Sequence, residues 1–231
     1  MNRNQVSLFP EMQQGATFAE NGKYRYLLWR IWDDTLPLAT IVGLNPSTAD
    51  DANDDPTIRR CISFLKGFGY GGFYMTNLFA FRATEPAVMK DEAEPVGMAN
   101  DEYLRYAKDK SSAVLFAWGT DGGHRGRDQQ VIDMFPHAYC LGKTKDGHPR
   151  HPLYLPSSTK LIPFRDYVID GRVLVAADIG SKVTYVPTHA HGNRSHPDCE
   201  PGTLIGWNSV GAMVDYVRNK CRTDYTDLVW G

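Results

Sequence analysis

Two apolar runs, residues 38–44 (LATIVGL) and 72–81 (GFYMTNLFAF), are separated by one capped helical pattern. The intervening residues 55–68 (DPTIRRCISFLKGF) open on Asp55 and Pro56, the residue types that cap a helix and begin it. Ile58, Cys61, Ile62 and Leu65 then recur at helical spacing, and Gly69 with the Gly71-Gly72 pair stops the pattern. A strand, a helix of this length and a second strand form a crossover unit, and two strands so joined run parallel. No all-helical or all-β fold accommodates this order over the first part of the chain.

The same alternation continues. Residues 24–32 (YRYLLWRIW) read as a strand, 91–109 as a charged helix, 113–118 (AVLFAW) as a buried strand closed by Gly119, and 138–141 as one more short strand. A glycine-rich loop, GTDGGHRGRD, leads into a helix from about Asp128. The expectation is a three-layer α/β/α domain with a mostly parallel sheet. After Phe164 the texture changes. Residues 167–169, 172–175, 182–186, 203–207 and 212–217 are short β-like runs punctuated by Gly171, Gly180, Gly202 and Gly211. They predict a small all-β module, a barrel, so the expected division is 1–164 and 165–231.

Composition excludes several classes. The 231 residues include 42% apolar and 12% aromatic side chains, enough for a packed core and too many for a disordered chain. There is no uncharged apolar stretch of about 18 residues to span a membrane. The first residues, MNRNQVSLFPEMQQG, lack the apolar segment of a signal peptide. Cys61, Cys140, Cys199 and Cys221 form no CxxC pair and read as reduced thiols of a cytoplasmic protein. Net charge is −2, and the first 165 residues carry as many acidic as basic side chains. Non-specific coating of nucleic acid is disfavoured, whereas a local basic groove is allowed.

Four strings in the first domain carry candidate chemistry. Residues 43–50 (GLNPSTAD) sit where a parallel strand ends, the edge at which α/β sheets bind ligands. Asn45, held by Pro46, can orient a water or hydrogen-bond a base; the competing reading is ordinary Asn-Pro turn chemistry. Residues 140–156 form a basic, turn-rich loop after another strand, and His151, braced by Pro152, can donate to developing negative charge. The competing reading is a solvated surface loop. Asn77 is a polar residue in an apolar strand, where its amide must find partners in backbone or in a ligand. The loop 122–127 (GGHRGR) offers amides and cations to a phosphate, without the spacing of a P-loop. In the tail, His189, His191, His196 and Cys199 are zinc-type residues, but their irregular spacing favours a hydrogen-bonded loop.

The order of these strings resembles the uracil-DNA glycosylase superfamily: strand then GLNPS, a strand bearing Asn77, a strand then Trp118-Gly119, and a strand then HPL. Ser47 stands where that pattern has Gly, and HPL where it has HPS. The resemblance implies a glycosylase-like α/β fold and hydrolysis of the N-glycosidic bond of a flipped, modified or damaged base. Asn45 would orient the attacking water. His151, as a neutral imidazole, would stabilise the departing base. Asn77, with Pro46 and Ser47, would hold the base. Arg59, Arg60, Arg125, Arg127, Lys143, Lys145 and Arg150 are candidates for phosphate contacts. The chemistry needs no metal or cofactor, the partner is DNA, and the expected state is a monomer in a bacterial or phage-infected cell.

Residues 20–160 also resemble DUF1643, a family of bacterial and phage proteins of unknown function, through NPSTAD, DPTIRRC, TNLFAFRAT and GxPxHPLYL. The last 60 or so residues are similar to a phage-associated SH3-like module, through VTYVPTHAHGN, HPDCEPGT and DLVW, which implies a docking role for a further partner. Two alternatives remain open: a protein that binds a nucleobase or modified nucleotide without cleaving it, and an enzyme of phage nucleotide modification.

Overall fold

The computed structural model describes residues 12–47 and 54–165 and, beyond them, the backbone of four short strands. Seven strands come first: β1 (Gln13–Phe18), β2 (Arg25–Ile31), β3 (Leu38–Gly43), β4 (Gly72–Asn77), β5 (Ala113–Phe116), β6 (Tyr139–Cys140) and β7 (Ile162–Pro163). They form one mixed sheet in the order β1-β2-β4-β3-β5-β6-β7. The centre, β4-β3-β5-β6, is parallel. The flanks are antiparallel: β1 on β2, β2 on β4, and β7 on β6. The α/β character agrees with the sequence, and the sheet is more mixed than the alternation suggested.

Four helices are described: α1 (Pro56–Gly67), α2 (Pro86–Asp91), α3 (Asn100–Asp109) and α4 (Arg127–Met134). In α1, Asp55 caps as expected, its carboxylate accepting from the Ile58 amide at 2.8 Å. Ile58, Cys61, Phe64 and Leu65 face one side of the sheet, packing with Ala39, Ile41, Phe73 and Leu115. Leu104 of α3 and Val131 and Ile132 of α4 join Val42, Val114 and Phe116 in a second cluster. Adjacent strand residues fall in different clusters, so helices cover both faces of the parallel centre. Each large apolar side chain buried here contributes roughly 1.5–3 kcal/mol.

Two expectations need correction. Of the helix read over 91–109, only α3 (100–109) is helical: α2 ends at Asp91, and an extended segment joins the two. Pro95 cannot sit in a helix interior, and Gly97 adopts φ +81°. The broken segment instead pairs with the end of the β4 chain, the Phe81 amide donating to Pro95 O and the Ala80 amide to Val96 O. The edge strand β1 (QQGATF) was not anticipated, because it carries a single large apolar residue. Its Gly15 lies under the Trp29 ring, 2.4 Å from where a Cβ would stand.

Beyond Arg165, β8 (Tyr167–Ile169) pairs antiparallel with β9 (Arg172–Leu174), and β10 (Val183–Tyr185) with β11 (Ile205–Trp207). These fall on four of the five runs expected to be strands. The fifth, 212–217, and the histidines and Cys199 of the tail lie outside the described residues. Among the described residues no helix is long and apolar enough to cross a membrane.

Candidate functional site

Strand β3 is the point where the connections diverge. The chain leaves it to form β4 on one side, and later returns to form β5 on the other. Such switch points open a crevice at the carboxyl ends of parallel strands. A cleft of about 340 Å³ lies there. Four loops build it, each following a parallel strand. They contribute Gly43, Leu44, Asn45 and Ser47 with Asp55, then Asn77 with Ala83, Thr84 and Pro86, then Ala117 to Asp121, and finally His151 and Pro152. Asn45, Asn77, Ser47 and His151, far apart in sequence, therefore meet in one cavity.

The strand ladder continues into these loops and fixes them. Leu78 N donates to Gly43 O, Phe79 N to Leu44 O and Ala83 N to Pro46 O, each at 2.9 Å. Asn45 closes the same zipper, its Nδ2 donating to Ala83 O at 2.7 Å and to Pro46 O at 3.1 Å. With both amide hydrogens committed, Asn45 can offer the cleft only its acceptor oxygen. Pro46 does not line the cleft; its carbonyl holds the turn.

Asn77 is 4% exposed, yet its side-chain amide makes no hydrogen bond among the described residues. Gly43, its direct partner across β3 and β4, leaves room for it. The backbone beneath is held firmly. Asn100 Nδ2 donates to both Asn77 O and Leu78 O at 3.0 Å, and Arg127 Nε donates to Leu78 O at 3.0 Å.

His151 caps the short turn Pro152–Tyr154, its Nδ1 accepting from the Leu153 amide at 3.3 Å. An accepting Nδ1 assigns the neutral ring's proton to Nε2. Burial pushes the imidazole below its usual 6.5, and the Asp55 carboxylate pulls it partly back. The ring is thereby kept as a neutral donor. Cys61, also on the cleft wall, is no nucleophile: burial, with the Asp55 charge added, pushes its thiol up to about 12. Cys61 and Cys140 are free and buried.

The basic residues divide by what they touch. Arg127 is 3% exposed and donates to Leu78 O, Gln130 and Asp101, so it is an interior brace for the end of β4. This corrects the expectation of a phosphate contact, since a guanidinium so enclosed cannot reach a backbone phosphate. Arg125, with φ +55°, ties its loop to Ala93 O and Glu92 O. Arg59 donates to Asp54 O. Arg60 lies 4.4 Å over the Phe64 ring and donates to Ser157 and Leu155 O. Lys143, Lys145 and Arg150 are exposed on one hairpin loop after β6, with Lys143 Nζ 5.5 Å above Phe164.

Sequence reasoning missed Arg25, Asp55 and Asp121 as cleft residues. Asp55 was read only as a helix cap. A cap that opens the helix after a parallel strand belongs at the carboxyl edge of the sheet, and that placement was the available signal. Among the described residues no three His, Cys, Asp or Glu side chains are grouped to hold a metal ion.

No curated protein and no solved structure matches the chain. Residues 25–153, more than half of it, match a family described as a protein of unknown function, DUF1643. All residues that line the cleft lie within that stretch. The cleft is thus wholly contained in the matched region, and the chain belongs to the DUF1643 family.

Proposed function

We propose that the protein is a DNA base N-glycosylase-like hydrolase acting on a flipped, modified or damaged nucleobase, built on a uracil-DNA glycosylase-like layered domain followed in the chain by an SH3-like module. One observation carries this reading. Asn77, an almost fully buried amide with no partner among the described residues, shares a cleft with the acceptor-only Asn45 and the neutral donor His151. The amide is open to the cleft, where a base edge would supply its hydrogen-bond partners.

The division of labour follows from the hydrogen bonds. The Asn45 oxygen accepts from a water and aims it at the sugar carbon. The glycosidic bond breaks with its electron pair on the base, and His151 Nε2–H donates to the resulting anion. Asn77 selects the base through its amide. Lys143, Lys145 and Arg150 meet the phosphates. A binding protein that holds a base without cleaving it is the second reading, favoured by the neutrality of Asn45, which cannot itself take a proton from water.

The test is incubation with duplexes carrying uracil, hypoxanthine, or hydroxymethylated or glucosylated pyrimidines, followed by alkaline cleavage at abasic sites. Strand breaks at the modified position are expected. Tight binding of a modified duplex without any break would favour the second reading.

A further inference from the structure

Two carboxylates line the cleft, Asp55 and Asp121. Asp121 is already engaged, its Oδ1 accepting from Lys90 Nζ at 2.6 Å. Asp55 has no cationic partner among the described residues. Its Oδ1 takes the Ile58 amide at 2.8 Å, while among the described residues Oδ2 takes only the Ser47 hydroxyl at 3.4 Å. One oxygen is therefore fixed by the helix, and the other is held only loosely by its neighbours among the described residues. The charge of this carboxylate reaches both His151 and Cys61 across the cavity.

We propose that Asp55 is the proton acceptor of the cleft, taking the proton from the water that attacks the sugar. This rests on the glycosidic-hydrolysis reading given above. The water oxygen bonds to the sugar carbon, and the carbon–nitrogen bond breaks with its electron pair going to the base. The water proton passes to Asp55 Oδ2, and the charge on the base is met by His151 Nε2–H. Asn45 holds the water through its oxygen but, as a neutral amide, accepts no proton. As the N-cap of α1, Asp55 sets its carboxylate beside the positive end of that helix. The same negative charge opposes the positive charge that grows on the sugar in an oxocarbenium-like transition state.

A purely structural Asp55 would be a helix cap and nothing more, and asparagine caps as well as aspartate. Asp55→Asn separates the two roles. Single-turnover base release should fall by about 10²–10⁴-fold, with the melting temperature and the affinity for the modified duplex nearly unchanged. Base release by Asp55→Asn at the wild-type rate would overturn the assignment while leaving the glycosylase reading intact. A wild type that releases no base from any modified duplex would overturn both.

Discussion

Gly43 and Asn77 stand opposite each other at the carboxyl ends of β3 and β4, and a Cβ on Gly43 would lie 2.7 Å from the Asn77 amide oxygen. The glycine is required by the space the amide occupies, not by its own backbone angles. Gly43→Ala should push the Asn77 side chain out of position while the strands stay paired. Base release should drop at least tenfold, with a stability loss of about 1 kcal/mol. Comparing single-turnover rates with thermal unfolding checks this. An alanine variant with full activity would show that the amide's position does not matter.

Asn77 itself should be expendable for folding. Its amide faces the cleft and makes no hydrogen bond among the described residues, so replacing it removes no contact of the fold. Asn77→Leu should stay within about 1 kcal/mol of the wild type in chemical denaturation, yet lose base release. Marked destabilisation would mean that the amide serves the fold.

The depressed titration of His151 has a definite sign. The folded protein holds a proton at this ring less readily than the unfolded chain does. The contribution to stability is complete above pH 6.5 or so, falls as pH drops towards the folded value, and levels off below it. His151→Asn keeps an acceptor for the Leu153 amide and removes the titration. Urea unfolding across a pH series should give a flatter curve for the variant over that window. Parallel curves would contradict the burial argument.

Two arginines should separate cleanly. Arg127→Ala removes an interior brace and should cost about 2–4 kcal/mol, with no change in the salt dependence of DNA binding by the folded fraction. Arg150→Ala should leave stability alone, weaken binding and reduce the salt slope by about one. Salt-titrated binding beside unfolding measurements distinguishes them, and a reversal of the two patterns would refute both assignments.

How much of this was legible in the sequence depends on range. The α1 cap was readable because Asp55, Pro56 and Ile58 act within one turn. The parallel centre was readable because β3, α1 and β4 follow one another directly. What could not be read came from distant partners. β1 forms because β2 offers it an edge and Trp29 a surface. The break between α2 and α3 forms because residues 95 and 96 find partners at 80 and 81. Arg127 looked like a surface cation since nothing local announces that Leu78 O awaits it. The same limit applies to the cleft: Asn45, Asn77 and His151 could be picked out singly, but the exclusion of Cys61 and the place of Asp55 on the cleft wall follow only from burial and neighbours.

The short strand β7 runs antiparallel to β6, placing Ile162 beside Cys140 and Pro163 beside Tyr139, and the Phe164 amide then bonds Ala138 O. Having formed the His151 loop at the cleft, the chain thus travels back to the start of β6 before leaving the sheet, where Arg165 meets Asp133 at 3.5 Å. The domain has a working pole and an attachment pole. A surface tether or fusion joined just after Arg165 would begin on the side away from the cleft mouth. A protein immobilised there could be handed substrates too large to pass between it and its support.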